Sequence, residues 1–168
     1  MEVHRSATGH ARLLGVALTV SATLFPAGTA AGGEGPLDGM VFQGDFGPEG
    51  GPADRTDALH FQDGRFWSEN CVPCGFRPGV YWVRREAGRL HFQGELQSEN
   101  RGRFRISGYL QGNTLHATIR WRRERWYWTL SRTFSFTGRL DPDRRPAELQ
   151  AAVRRASGQP LPDADCQL

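Results

Sequence analysis

From Arg89 to Leu140 the chain alternates apolar and polar residues with a period of two. Leu90, Phe92, Gly94 and Leu96 fall on one face, and His91, Gln93, Glu95 and Gln97 on the other. Phe104, Ile106, Gly108 and Leu110 then oppose Arg103, Arg105, Ser107 and Tyr109. Leu115, Ala117, Ile119 and Trp121 oppose His116, Thr118, Arg120 and Arg122. Trp126, Trp128, Leu130, Phe134 and Phe136 oppose Tyr127, Thr129, Ser131, Thr133 and Ser135. One apolar face at this period describes a half-buried antiparallel sheet. Short turn signals separate the runs: Asp63-Gly64, Ala87-Gly88, Asn100-Arg101-Gly102 and Gly112-Asn113. Gly and Asn supply the positive φ that tight hairpins require.

Strands are therefore expected at 39–46, 57–62, 65–69, 79–85, 89–97, 103–111, 114–123 and 126–140. Consecutive hairpins make an all-β, eight-stranded, antiparallel up-and-down meander. Its two edges are best hidden by closure into a barrel. Gly-, Pro- and acid-rich stretches at 32–38 and 47–56 read as loops. After Leu140, Asp141-Pro142-Asp143 is a stop. PAELQAAVRR reads as one short helix, with Pro146 in its first turn and Gly158 beyond its end. That helix is expected to lie across the barrel or plug one end.

The first 31 residues differ in kind. Arg5 and Arg12 precede the apolar run Leu13–Phe25, and PAGTAAGG follows with small residues at signal-peptidase spacing. This is the plan of a cleavable secretory signal, with cleavage expected after Ala30 or Ala31. The run is too short, and too rich in Thr, Ser and Gly, to span a bilayer. The expected organisation is a signal peptide over 1–31, a flexible segment over 32–37, a barrel over 38–140, and a helix with an irregular tail over 141–168. The mature protein is expected in the periplasm or secreted, as a monomer without a transmembrane segment.

The cations are all arginine, and the chain carries a formal net charge of +3. Both signs are mixed along it, which is not the footprint of a nucleic-acid binder. Cys71, Cys74 and Cys166 are an odd set. In an oxidising compartment one disulfide is expected, either Cys71–Cys74 or one of these with Cys166. Cys71-Val72-Pro73-Cys74 has the spacing of a thiol-redox pair. That chemistry, however, uses a helix N-terminus to lower the thiol pKa, and Gly75-Phe76-Arg77-Pro78-Gly79 follows here. A single Cys pair without a nearby His does not suit zinc, and Gly75 stands where haem attachment needs His. No metal and no cofactor are expected. No Ser-His-Asp set, nucleophile elbow or phosphate loop is present, so no catalytic residue is assigned.

An export signal, an eight-strand meander over 38–140 and a short terminal helix resemble the lipocalin and fatty-acid-binding-protein barrels, the calycin architecture. At the family's first-strand Gly-x-Trp position stands Gly39-Met40-Val41, followed by Phe42, so the Trp itself is absent. Arg132, placed between Leu130 and Phe134, is a candidate for the family's last-strand arginine. The resemblance implies a small apolar or amphipathic ligand held inside the barrel. The segment FWSENCVPCGFRPGVYWV also resembles a motif in small exported bacterial proteins, and no activity comes with it.

The residues expected to face that interior are Arg132, Trp128, Trp126, Trp121, Phe134, Phe104, Phe92 and Phe42. An inward Arg132 could meet a ligand carboxylate bidentately. The structural reading stands ahead of that one: a closure residue bonded to backbone carbonyls at a barrel end, or stacked on Trp126 or Trp128. The aromatic stripe could line a pocket or simply be core. Gly44, Gly94 and Gly108 on the same face suggest either space or strand bends. His60, His91 and His116 are expected on outward faces, as scattered surface residues.

The leading expectation is an exported, non-catalytic protein binding a small ligand in its barrel. The first alternative is a packed barrel that binds a partner, such as an anionic surface or a protein. It would do so through the hairpin at 120–128, with Arg120, Arg122, Arg123, Arg125 and Tyr127 making the contact. The second alternative is a thiol-redox protein using Cys71 and Cys74.

Overall fold

Asp63-Gly64 and Ala87-Gly88 both have positive φ at each residue, the backbone twist that closes a two-residue hairpin between right-twisted strands. They join two of the hairpins in a computed structural model that describes residues 35–162 and Cys166. The signal peptide expected over 1–31 lies outside the described residues.

The strands are β1 (Val41–Pro48), β2 (Arg55–Gln62), β3 (Arg65–Ser68), β4 (Gly79–Glu86), β5 (Arg89–Ser98), β6 (Gly102–Gln111), β7 (Thr114–Arg125) and β8 (Trp128–Leu140). A 3-10 turn, Val72–Cys74, lies between β3 and β4, and one helix, α1 (Leu149–Ser157), follows β8. Every strand pairs antiparallel with the next. β1 also pairs with β8, from Phe42↔Leu140 to Pro48↔Phe134, which closes the barrel. The eight-strand up-and-down expectation is met, with boundaries within a few residues.

The closure is thinnest between β3 and β4, which pair only at Arg65↔Val80 and Phe66↔Gly79. The isolated bridge Arg77↔Gln97 carries the chain past that gap.

The inward face forms one apolar core. Phe61 is its hub, with ring centroids 5.9 Å from Phe42, 5.9 Å from Phe66, 5.1 Å from Tyr81 and 5.7 Å from Phe92. Offset and edge-on rings at this spacing add to the burial of their area. The inward glycines leave no room: a Cβ on Gly94 would overlap the Phe66 ring, and one on Gly108 would overlap the Phe92 ring and the backbone of β7. These glycines are the small partners of large rings rather than the walls of a cavity.

α1 begins at Leu149, so Pro146 precedes the helix rather than sitting in its first turn. Ala152 and Ala156, one turn apart, pack with Trp67 and Val72. Phe66 points into the barrel, so its neighbour Trp67 lies on the outside. The helix therefore covers the outer face of β3 and does not plug an end.

Candidate functional site

The predicted interior residues divide into two groups. Phe42, Phe92, Phe104, Trp121 and Phe134 are buried in the single core. Trp126 and Trp128 are not: Trp126 is 94% exposed, Tyr127 67% and Trp128 44%. β7 runs on to Arg125, so Trp126 and Tyr127 form the turn between β7 and β8.

Neighbouring strand lengths explain this correction. β6 last pairs with β7 at Arg103↔Arg122, and β1 last pairs with β8 at Pro48↔Phe134. Beyond those points β7 and β8 have only each other as strand partners, through Arg123↔Leu130, Glu124↔Thr129 and Arg125↔Trp128. Three further pairs at about 3.4 Å per residue carry the hairpin roughly 10 Å past the barrel end. Leu130 still packs against the core, whereas the tip beyond it meets solvent.

Arg132 is corrected for the same reason. It pairs with Trp121 and so carries the inward phase expected of it, but it lies past the last β1 partner and is exposed. It is not a guanidinium inside the barrel. The closure role belongs instead to Arg101, which the sequence placed in a plain turn. Arg101 is buried. Its Nη1 donates to the Cys74 carbonyl at 2.7 Å, and its Nη2 donates to the Leu161 carbonyl. Its own carbonyl accepts the Trp121 Nε1–H at 2.8 Å.

The same end carries the disulfide, which joins Cys74 to Cys166. Cys71 remains a free thiol. Burial, with the nearby Asp57 carboxylate, pushes that thiol up to about 12. A redox nucleophile needs the opposite shift. Asp57 is buried too, and burial raises its carboxyl against the hydrogen bonds that favour its charge. Those bonds come from Ser68 Oγ–H at 2.6 Å and from the Ala58 and Asn70 amides, so Asp57 shapes the loop that presents Cys71 and Cys74. A recess of about 270 Å³ lies here, with Phe46, Phe104, Cys71 and Leu161 in its wall.

No protein-family model, no curated protein and no solved structure matches this chain. Any assignment therefore rests on geometry.

Two further features lie on the outer wall. His60 is on the outward face as expected, but it is only 3% exposed. It stacks on Trp67 at 5.3 Å, accepts the Ala147 amide at Nδ1, and faces Glu69 at 3.8 Å. Arg144 grips Glu69 with bonds of 2.7 and 2.9 Å, tying the segment before α1 to the barrel. Burial lowers the His60 pKa and the Arg144 charge pushes the same way, while Glu69 opposes them.

The other feature is an open groove of about 720 Å³ over β4 to β7, walled on one side by Trp82 at 61% exposure. Trp82 was readable, since it is an aromatic residue on the polar phase of β4 between Tyr81 and Val83. Among the described residues, no group of three or more His, Cys, Asp or Glu is arranged to hold a metal.

Proposed function

We propose that this chain is an exported, non-catalytic binding module that docks on an anionic lipid surface through the β7–β8 hairpin. In this reading the barrel is a scaffold of lipocalin-like topology, and its interior is filled by its own side chains. The observation that carries the proposal is the exposure of Trp126, Tyr127 and Trp128 together at the end of an unsupported overhang. The three rings touch one another but keep much of their area in solvent, and contiguous exposed apolar surface marks an interaction site.

The chemistry around the rings favours a bilayer. Trp and Tyr combine an apolar body with a polar tip and concentrate at membrane–water interfaces. At the tip, residues 122–128 hold Arg122, Arg123 and Arg125 against one acid, Glu124. Glu124 is engaged by Arg103 and Arg122, each at 3.2 Å. The excess is cationic, and each Arg near an anionic leaflet contributes about 1 kcal/mol. The Cys74–Cys166 disulfide fits an oxidising compartment such as the periplasm or the exterior. No described helix is long and apolar enough to cross a membrane.

Co-sedimentation with phosphatidylglycerol-containing vesicles tests this. The protein should bind these vesicles, bind phosphatidylcholine vesicles far less, and release with rising salt. The exposed double variant W126S/W128S should keep the parent melting temperature and lose at least tenfold in binding. Undiminished binding by that variant, or equal binding to neutral vesicles, would remove the proposal.

A further inference from the structure

We infer that the outer groove over β4 to β7 is a second binding site, and that it takes an acidic oligosaccharide. Trp82, Gln93, Glu95, Arg105 and Arg120 are the residues that recognise it. This site is separate from the hairpin tip and does not depend on the lipid reading.

The register lines these side chains up. Trp82 is opposite Gln93, Glu95 is opposite Arg105, and Arg105 is opposite Arg120. Directly opposed residues share a face and stand about 5 Å apart. The groove therefore has an indole at one side and a row of amide, carboxylate and guanidinium groups across its floor. Its volume of about 720 Å³ lies within the usual range of small-molecule sites, about 300–1,000 Å³.

Part of the polar row is tied together before any ligand arrives. Glu95 accepts from Gln97 Nε2–H at 2.6 Å through one carboxylate oxygen and from Arg105 Nε–H at 3.0 Å through the other. Groups held in place lose less entropy when they bind. Arg77, at the rim, is directed to Glu99 at 2.8 Å. Arg120 has no ion-pair or hydrogen-bond partner among the described residues, so its fork remains for the ligand.

The ligand class follows from this set. A peptide strand adds through backbone hydrogen bonds along a sheet edge, which here is β4 beyond its last β3 partner, Val80, and that mode leaves the outward side chains of Gln93, Glu95, Arg105 and Arg120 unused. A purely apolar ligand would bury the Glu95 and Arg105 charges without replacing their water. A pyranose has an apolar C–H face that lies flat on an indole, with hydroxyls around its edge that donate and accept. Gln93 can answer those hydroxyls in both senses. Arg120 pairs bidentately with a carboxylate, which selects a uronic-acid-type sugar over a neutral one.

Titration calorimetry with oligogalacturonate, and with maltotriose as the neutral comparison, tests the inference on the disulfide-bonded protein. Oligogalacturonate should bind and maltotriose should bind at least tenfold more weakly. Trp82→Ala should lose at least tenfold for oligogalacturonate. Arg120→Gln should lose about tenfold for oligogalacturonate and leave maltotriose unchanged. Both side chains lie on the outer face, so the melting temperature should hold in both variants. The hairpin variant W126S/W128S should bind oligogalacturonate as the parent does. The inference is overturned if oligogalacturonate does not bind, if Trp82→Ala binds as the parent does, or if maltotriose binds equally well. It is also overturned if only the hairpin variant loses binding. Vesicle binding by Trp82→Ala and Arg120→Gln, measured alongside, reports on the lipid reading by itself.

Discussion

Removing the Cys74–Cys166 bridge should cost this barrel a large part of its stability. The two cysteines are 92 residues apart, so the bridge closes β4 to β8, α1 and the tail into one loop. The chain-entropy relation for a loop of that size gives about 4.6 kcal/mol at 25 °C, and native bridges commonly return 2–5 kcal/mol. Cutting it also frees the tail whose Leu161 carbonyl Arg101 holds. A loss of about 3–5 kcal/mol is therefore expected. Cys166→Ala alone would leave Cys71 and Cys74 able to oxidise together across their short turn. The informative variant is C71A/C166A, compared with C71A, which keeps the bridge. Urea unfolding followed by tryptophan fluorescence gives both free energies. The double variant should fall about 3–5 kcal/mol below C71A, and dithiothreitol should shift C71A but not the double variant. A difference below about 1 kcal/mol, or no response of C71A to reductant, would refute the reasoning.

Other expectations rest on single contacts. Gly94→Ala should cost about 1–3 kcal/mol in the same assay, because the added methyl overlaps the Phe66 ring; a neutral result would mean the interior has room and would restore the internal-ligand reading. Arg101→Met should cost about 2–4 kcal/mol and expose the tail to limited proteolysis, since two carbonyls lose a charged donor. Arg101→Lys should recover only part of this, because an ammonium lacks the fork. His60 is held neutral, with its folded pKa below the unfolded value. The stability this gives is present at neutral pH and is lost as pH falls below about 6.5. Buried Asp57, with its raised pKa, acts in the opposite sense at lower pH. The difference between the parent and His60→Asn, followed from pH 7.5 to 5, isolates the histidine; identical slopes would contradict it.

Strand order, hairpin turns and the inward faces of β5, β6 and β7 could be read from the chain because they are local. A period of two and a positive-φ turn are complete within about twenty residues. What could not be read depends on partners far along the sequence. Arg101 is buried by a carbonyl 27 residues before it and another 60 after it. His60 is buried by a segment 87 residues later. The errors at Trp126, Trp128 and Arg132 have a different source. Alternation assigns a side chain to a face but says nothing about where the adjacent strands stop. Pro48 and Gly102 end the cover on the two sides, and the inward phase runs on into solvent. The Arg-rich hairpin was recognised at 120–128, yet its tryptophans were assigned to the wrong side of the wall.

The two proposed surfaces share one strand, and this fixes their relation. Arg120 lines the groove, and Arg125 closes β7 next to the aromatic turn. Five residues at about 3.4 Å each separate them by roughly 17 Å. That is about twice the Debye length at physiological salt, so the charge at the tip is largely screened from the groove. It is also beyond the range at which neighbouring substitutions usually couple. The strand between them is held by β6 as far as Arg122, and the end it rises from is tied down by Arg101 and the disulfide. A molecule resting on its hairpin tip would thus hold the groove at a set height of roughly 17 Å along the strand. That is far enough to clear lipid headgroups and near enough to meet saccharide carried by the same surface.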